Sequence, residues 1–250
     1  MNAKVSSGSV LLVLLSFCAG IALAAIPAET EATAKLLAVL LDSGRGVLAK
    51  NQTLINDPEK GDKGFTSAVF EAQVVEEFKN RSGMDFTKLD SAKISDRGKQ
   101  LLKELMAAGK QVIDEKQPVI NEKGKGYKNV IPATWGTWTG EKFTQKTGGL
   151  LKQTALDYRN PKNAPDAFET KILNKFAEPT YPREGENIVA EVVDSGKTLR
   201  LLLPLYHKKG CLVCHGTPKG EMDISGYKKE GHAEGDPAGA ISVAIPADGK

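Results

Sequence analysis

Residues 188–206, IVAEVVDSGKTLRLLLPLY, divide into two extended apolar runs around a polar turn. Val, Ile and Leu dominate both runs, and Asp194-Ser195-Gly196 between them supplies the short polar and glycine residues that close a hairpin. Pro204 has no N–H to give to a neighbour, so the second run is expected to lie at a sheet edge or to end there. Farther on, residues 240–245 alternate Ile241, Val243 and Ile245 onto one face, and Leu150 to Tyr158 reads as an earlier strand. The C-terminal part, 149–250, is therefore expected to be an antiparallel sheet.

Working back from the hairpin, the pattern changes period. Between Glu29 and Ile55, Leu37, Leu40, Leu41, Val47 and Leu48 recur at helical spacing, with Gly44 and Gly46 expected to weaken or kink the middle. A second helix is expected from about Ser91 to Asp114, with Leu101, Leu102, Leu105, Met106 and Val112 on its apolar face. Residues 61–83 and 126–148 align without a gap: Gly61, Lys63, Ala68, Glu76, Phe78 and Gly83 match Gly126, Lys128, Ala133, Glu141, Phe143 and Gly148, and Phe70 meets Trp135. This reads as a repeated loop-plus-helix unit, against chance similarity between two amphipathic helices. The preceding stretch, Asp57 to Lys63, reads as a mixed-charge loop facing solvent. The fold class is thus α+β, a mostly helical part at 25–148 followed by the sheet, in a single domain at 25–250.

The first residues carry Lys4, an apolar stretch from Val10 and the small-residue pattern Ala22-Leu23-Ala24, so 1–24 reads as a signal peptide cleaved after Ala24. A retained membrane anchor is the alternative, and Phe17 before Cys18 argues against a lipoprotein. The expected location is the periplasm or another extracytoplasmic compartment. Net charge is +3, with both signs interleaved along the chain, which excludes the clustered basic face of a nucleic-acid binder.

The mature chain has two cysteines, in Gly210-Cys211-Leu212-Val213-Cys214-His215-Gly216. Cysteines at i and i+3 share one side of a helical turn, so both sulfurs can reach the two vinyl groups of one haem, and His215 is carried to the iron as proximal ligand. Three rivals remain: a disulfide, whose short loop would constrain the unfolded chain little; a thioredoxin-like pair, which wants a βαβ context; and a zinc site, which must recruit two ligands from His207, His215 and His232. The sixth iron position is open among Met222, a candidate distal ligand, His232, Met84, Met106 and a solvent-held site; His207 would need a sharp chain reversal to reach it. Arg159 is a candidate for a haem propionate, with fixing a loop as the alternative, and Tyr206 a candidate pocket residue. Trp135 and Trp138 read as core.

KNQTLIND at 50–57, KGDKGFTSAVF at 60–70, LKQTALDYRNPKNAPDAFE at 151–169, and CLVCHGTPKGEMDISGYKKEG leading to GAISVAIP at 239–246 together resemble a bacterial family of exported c-type haem proteins with a PAS-like domain. The resemblance implies a PAS-like antiparallel sheet holding one covalent haem c through Cys211 and Cys214, with His215 axial, and a role in redox or small-ligand sensing. It also implies that some relatives bring a cysteine from the helical part to the iron, where this mature chain has none.

Three functions are weighed on these residues. A sensor would relay a change at the haem, on reduction or on binding a small diatomic ligand, to a separate signalling protein, because the chain has no kinase, cyclase or methyl-accepting segment of its own. A periplasmic electron carrier would serve a redox partner. A peroxidase-like enzyme would need a distal acid-base pair, and no His-plus-Arg spacing points to one, so no catalytic residue is expected.

Overall fold

The structure, a computed structural model, describes residues 28–248; the expected signal peptide lies outside the described residues. The chain opens with α1 (Ala28–Lys50) and the single turn α2 (Gln52–Ile55), followed by α3 (Ser67–Ser82), α4 (Asp96–Ile120) and α5 (Pro132–Thr147). Then come β1 (Leu150–Thr154), α6 (Ala167–Ala177), β2 (Val189–Val193), β3 (Thr198–Tyr206), the short α7 (Leu212–His215) and β4 (Pro237–Pro246). The strands form one antiparallel sheet in the order β1-β4-β3-β2. The architecture is α+β, an antiparallel sheet behind an N-terminal helical part.

Alternation along β3 separates two cores. Leu199, Leu201 and Leu203 join the main core with Leu37, Leu41 and Leu48 of α1, whereas Leu202 faces the other way and packs with Ile172, Leu173 and Phe176 of α6. Asp166 and Glu169 open α6 with a capping box. Glu169 is fully buried there, where Lys152 (3.0 Å) and Arg200 (3.2 Å) reach its carboxylate. Asp194 and Ser195 take positive φ in the turn between β2 and β3, and Val193 pairs with Thr198 across it. Pro204 sits in a strand with neighbours on both sides, contrary to a simple edge assignment. Pairing with β2 stops at Leu202, so Pro204 lies past the end of β2 and bonds only toward Ala240 of β4.

Three sequence expectations change in the helical part. Gly44 and Gly46 do not kink α1, which runs unbroken to Lys50. A Cβ on Gly44 would stand 2.2 Å from Cη2 of Trp135, and one on Gly109 of α4 would stand 2.8 Å from its Cζ2. The glycines are notches that seat a buried indole, whose Nε1–H donates to the Gly109 carbonyl at 3.2 Å. The second helix starts at Asp96, because the Ser95 hydroxyl accepts from the Gly98 N–H, and it continues past Pro118 to Ile120. Its apolar face is buried as the spacing predicts. Lys63 does not face solvent: it is buried, and its ammonium donates to the carbonyls of Lys60 and Gly61. Lys128, at the matching position of the similar segment, is buried and donates to the Glu122 and Lys125 carbonyls. Both segments carry a helix ended by a left-handed glycine, Gly83 or Gly148, and their matching aromatics Phe70 and Trp135 pack with centroids 5.2 Å apart.

The notch at Gly44 makes a signed prediction. Helix propensity alone favours Gly44→Ala by up to about 1 kcal/mol, but overpacking against the indole costs roughly 1–3 kcal/mol. The expected outcome is a lower urea midpoint with unchanged slope; a raised midpoint would show that the indole yields freely.

Candidate functional site

The site is built on the segment between β3 and β4. At the end of β3 the His207 N–H donates to the Asp236 carbonyl at 2.9 Å, and the His207 carbonyl accepts from Gly235 N–H at 2.8 Å, which ties the two ends of the excursion together. The chain then reverses through a 3-10 turn, Lys209–Cys211, and the single helical turn α7. Gly216 ends that turn, its N–H on the Leu212 carbonyl at 2.9 Å; a Cβ there would stand 2.5 Å from the same oxygen. Cys211 and Cys214 are half-buried and not joined to each other. Burial, followed by the neighbouring Asp223 carboxylate, pushes the Cys214 thiol up, so it stays protonated at neutral pH.

His215 is oriented by charge. Its Nδ1 lies 2.9 Å from Oε2 of Glu230. Burial alone would raise the Glu230 carboxyl, but hydrogen bonds led by that from Arg159 outweigh it and hold the group below the usual carboxylate range. An ionised carboxylate only accepts, so Nδ1 of His215 carries the hydrogen and the Nε2 lone pair is left free. Burial, and then the nearby Arg159 cation, lower the His215 pKa and favour this neutral form. Arg159 closes the network: Nε and one terminal nitrogen grip both Glu230 oxygens at 2.7 and 2.9 Å, the other terminal nitrogen reaches Asp223 at 2.6 Å, and the Cys214 carbonyl accepts at 2.9 Å.

Beside His215 lies a cleft of about 350 Å³, within the roughly 300–1,000 Å³ of cofactor sites. Leu173 and Phe176 of α6, Ala155, Leu156 and the Pro237–Gly239 strand end form its apolar walls, and His207, His215 and His232, with the carboxylates of Asp157, Glu230 and Asp236, its polar side. The chain's three histidines thus meet here. The His207 ring stacks on His232 with centroids 4.5 Å apart and stands 5.1 Å from His215. Burial, then the two neighbouring histidines, push the His207 pKa down to about 4.

The other sequence candidates fall elsewhere. Arg159 spends its guanidinium on Glu230, Asp223 and backbone carbonyls, so in this structure it is the anchor of the motif loop rather than a propionate partner. Tyr206 points away from the cleft: its hydroxyl donates to the Pro182 carbonyl at 3.2 Å and Arg183 lies over its ring. Met222 is 58% exposed, in a short bridge with Lys228, and does not line the cleft. Met106 is buried in the helical core and Met84 packs against it, as Trp135 and Trp138 do. Glu230 and the cleft position of His207 were missed from sequence; the one signal for Glu230 was a lone acid in a lysine-rich loop, KKEGH.

The donor set discriminates among chemistries. No cluster able to hold a metal ion by itself occurs among the described residues, which leaves zinc without its ligands. A raised Cys214 pKa is the reverse of what a reactive redox pair needs. Two unpaired thiols on one turn, a neutral imidazole with Nε2 free, and an apolar-walled cleft beside it do fit a haem.

Residues 91–246 match a family model described as Tll0287-like. A solved structure described as that of the cyanobacterial heme-protein Tll0287 is similar over 46% of this chain and 71% of its own, with 22% sequence identity and a TM-score of 0.39. Among curated proteins none is similar enough to count as a match.

Proposed function

This chain belongs to the Tll0287-like family, and from that premise we propose that it is an exported protein carrying one covalent haem c and used in redox or small-ligand sensing. The observation that carries the reading is the His215–Glu230 contact at 2.9 Å, which frees Nε2 of the histidine that follows two thiols on one turn. Each thiol, Cys211 and Cys214, would add its S–H across one vinyl group, a step that consumes no oxidant and needs both sulfurs reduced. Glu230 holds the His215 tautomer, and Arg159 holds Glu230. A bound haem would supply an iron that changes charge on reduction and at which a small diatomic ligand can compete for the position opposite His215.

Sensing is supported by where the cleft wall is attached. Opposite His215, Glu230 and His232, the residues that line it sit at the ends of β1, β3 and β4 and on α6, so a displacement at His215 bears on the sheet itself. The reading has no catalytic step, and the output belongs to a separate signalling partner outside the cytoplasm. Electron transfer is the second reading. It is favoured by the exposed Val213, Met222, Ile224 and Tyr227 beside the motif, interspersed with Lys208, Lys209, Lys219, Lys228 and Lys229, a surface suited to a brief encounter with a redox partner.

The test is the protein matured with a c-type haem assembly system, its haem content per chain measured after denaturation, and its ferrous spectrum recorded with and without carbon monoxide. One haem per chain and a spectrum shifted by carbon monoxide are expected. Haem in place with indifference to carbon monoxide would favour the electron carrier.

A further inference from the structure

The haem reading assigns His215 and leaves its buried neighbour without a task. His207 is only 6% exposed, and its Nδ1 has no hydrogen-bond partner among the described residues. Buried polar side-chain atoms are nearly always partnered, so an orphaned imidazole nitrogen beside a cofactor cleft points to a ligand.

We propose that His207 is the second axial ligand of the iron, opposite His215. The assignment rests on the haem reading above. The His207 ring faces that of His215, with centroids 5.1 Å apart and rings tilted by 43°. Two imidazoles on one metal, with bonds of about 2 Å, stand roughly 6 Å apart, so the pair opens by about 1 Å. The opening falls to the His215 turn, a single turn of helix flanked by Gly210 and Gly216, which shifts together with the loop that holds it through Arg159, Gly231 and His232. His207 itself is fixed, by backbone bonds to Asp236 and Gly235 at a strand end, which is how a ligand is preorganised.

The competing ligands are placed less well. His232 also lines the cleft, stacked on His207, but its Nδ1 lies 3.7 Å from the Asp236 carboxylate rather than being left without a neighbouring acceptor. Met222 is exposed, Met84 and Met106 belong to the helical core, and none of the three lines the cleft.

The experiment compares ferric absorption and electron paramagnetic resonance spectra of the wild type, His207→Ala, His207→Met and His232→Ala, each matured with covalent haem. The wild type is expected to be low-spin with the signature of two imidazoles. His207→Ala should lose that signal and regain it on addition of free imidazole, His232→Ala should keep it, and His207→Met, which preserves bulk, should give a histidine–methionine spectrum and a higher potential. A low-spin spectrum unchanged in both His207 variants, or lost instead in His232→Ala, overturns the assignment while leaving the haem reading intact. A wild type that is high-spin does the same. A wild type that retains no haem through denaturation overturns the function proposed above and this assignment with it.

Discussion

The double variant Cys211→Ala/Cys214→Ala is expected to carry no haem through denaturation, and each single variant to keep at most one thioether. The two thiols are the only sulfhydryls among the described residues, and they lie on one short turn, so no other described residue can substitute. The readout is haem staining on a denaturing gel together with the mass of the intact chain. A double variant that stays loaded through the gel would sink the attachment model. His215→Ala should retain both thioethers and lose the proximal bond, visible as a changed ferric spectrum at unchanged haem mass, and an unaltered spectrum would remove His215 from its role.

The second large effect is on stability. In Arg159→Leu the Asp223 side chain, fully shielded from solvent, and Glu230 lose their shared cation. Leaving the shielded Asp223 carboxylate without its cation costs up to roughly 3–5 kcal/mol, with the partly exposed Glu230 adding little, measured by urea unfolding at neutral pH; a loss below about 1 kcal/mol would show that water replaces the guanidinium. Acid behaviour supplies the sign. Burial alone would raise the Asp223 carboxyl, but hydrogen bonds from Ser225 and Arg159 outweigh it and hold the group well below the usual range. A depressed carboxylate adds stability that is present in full above its unfolded pKa, about 4, and is lost as pH falls through the lower folded value. The wild type should therefore weaken steeply below about pH 4. Arg159→Leu, having lost the guanidinium's part of that contribution while keeping the Ser225 part, should be somewhat flatter over the same span. Arg159→Lys keeps the charge without the fork and should recover only part of the loss.

Legibility in the sequence followed the range of the interactions. The β2–β3 hairpin, the apolar face of α4 and the Cys211–His215 motif are local: each is written within a few turns or one period of alternation, and each is found where the pattern placed it. Contacts between distant residues are not written that way. Gly44 reads as a helix breaker until Trp135, far along the chain, is seen filling the space where its side chain would be. Arg159 reads equally as a propionate partner or as the fixer of a loop until Asp223 and Glu230 arrive from the other side of two strands and show which loop it fixes. His207 was set aside because it needs a sharp reversal, and that reversal is made by a 3-10 turn running into α7, a combination with no periodicity to betray it. Lys63 looked like one more charge in a polar loop, since nothing local announces that backbone carbonyls will surround an ammonium.

The excursion that carries the site leaves β3 and returns as β4, and these two strands are paired along almost their whole length. The sheet can thus zip shut with residues 207–236 held outside it, clasped at the base by His207, Gly235 and Asp236. Biogenesis gains an order from this. On the haem reading proposed above, folding of the scaffold and attachment of the cofactor become separable events, and an already assembled body can offer its motif loop to a maturation enzyme as a protruding handle, to be drawn down onto the cleft once loaded.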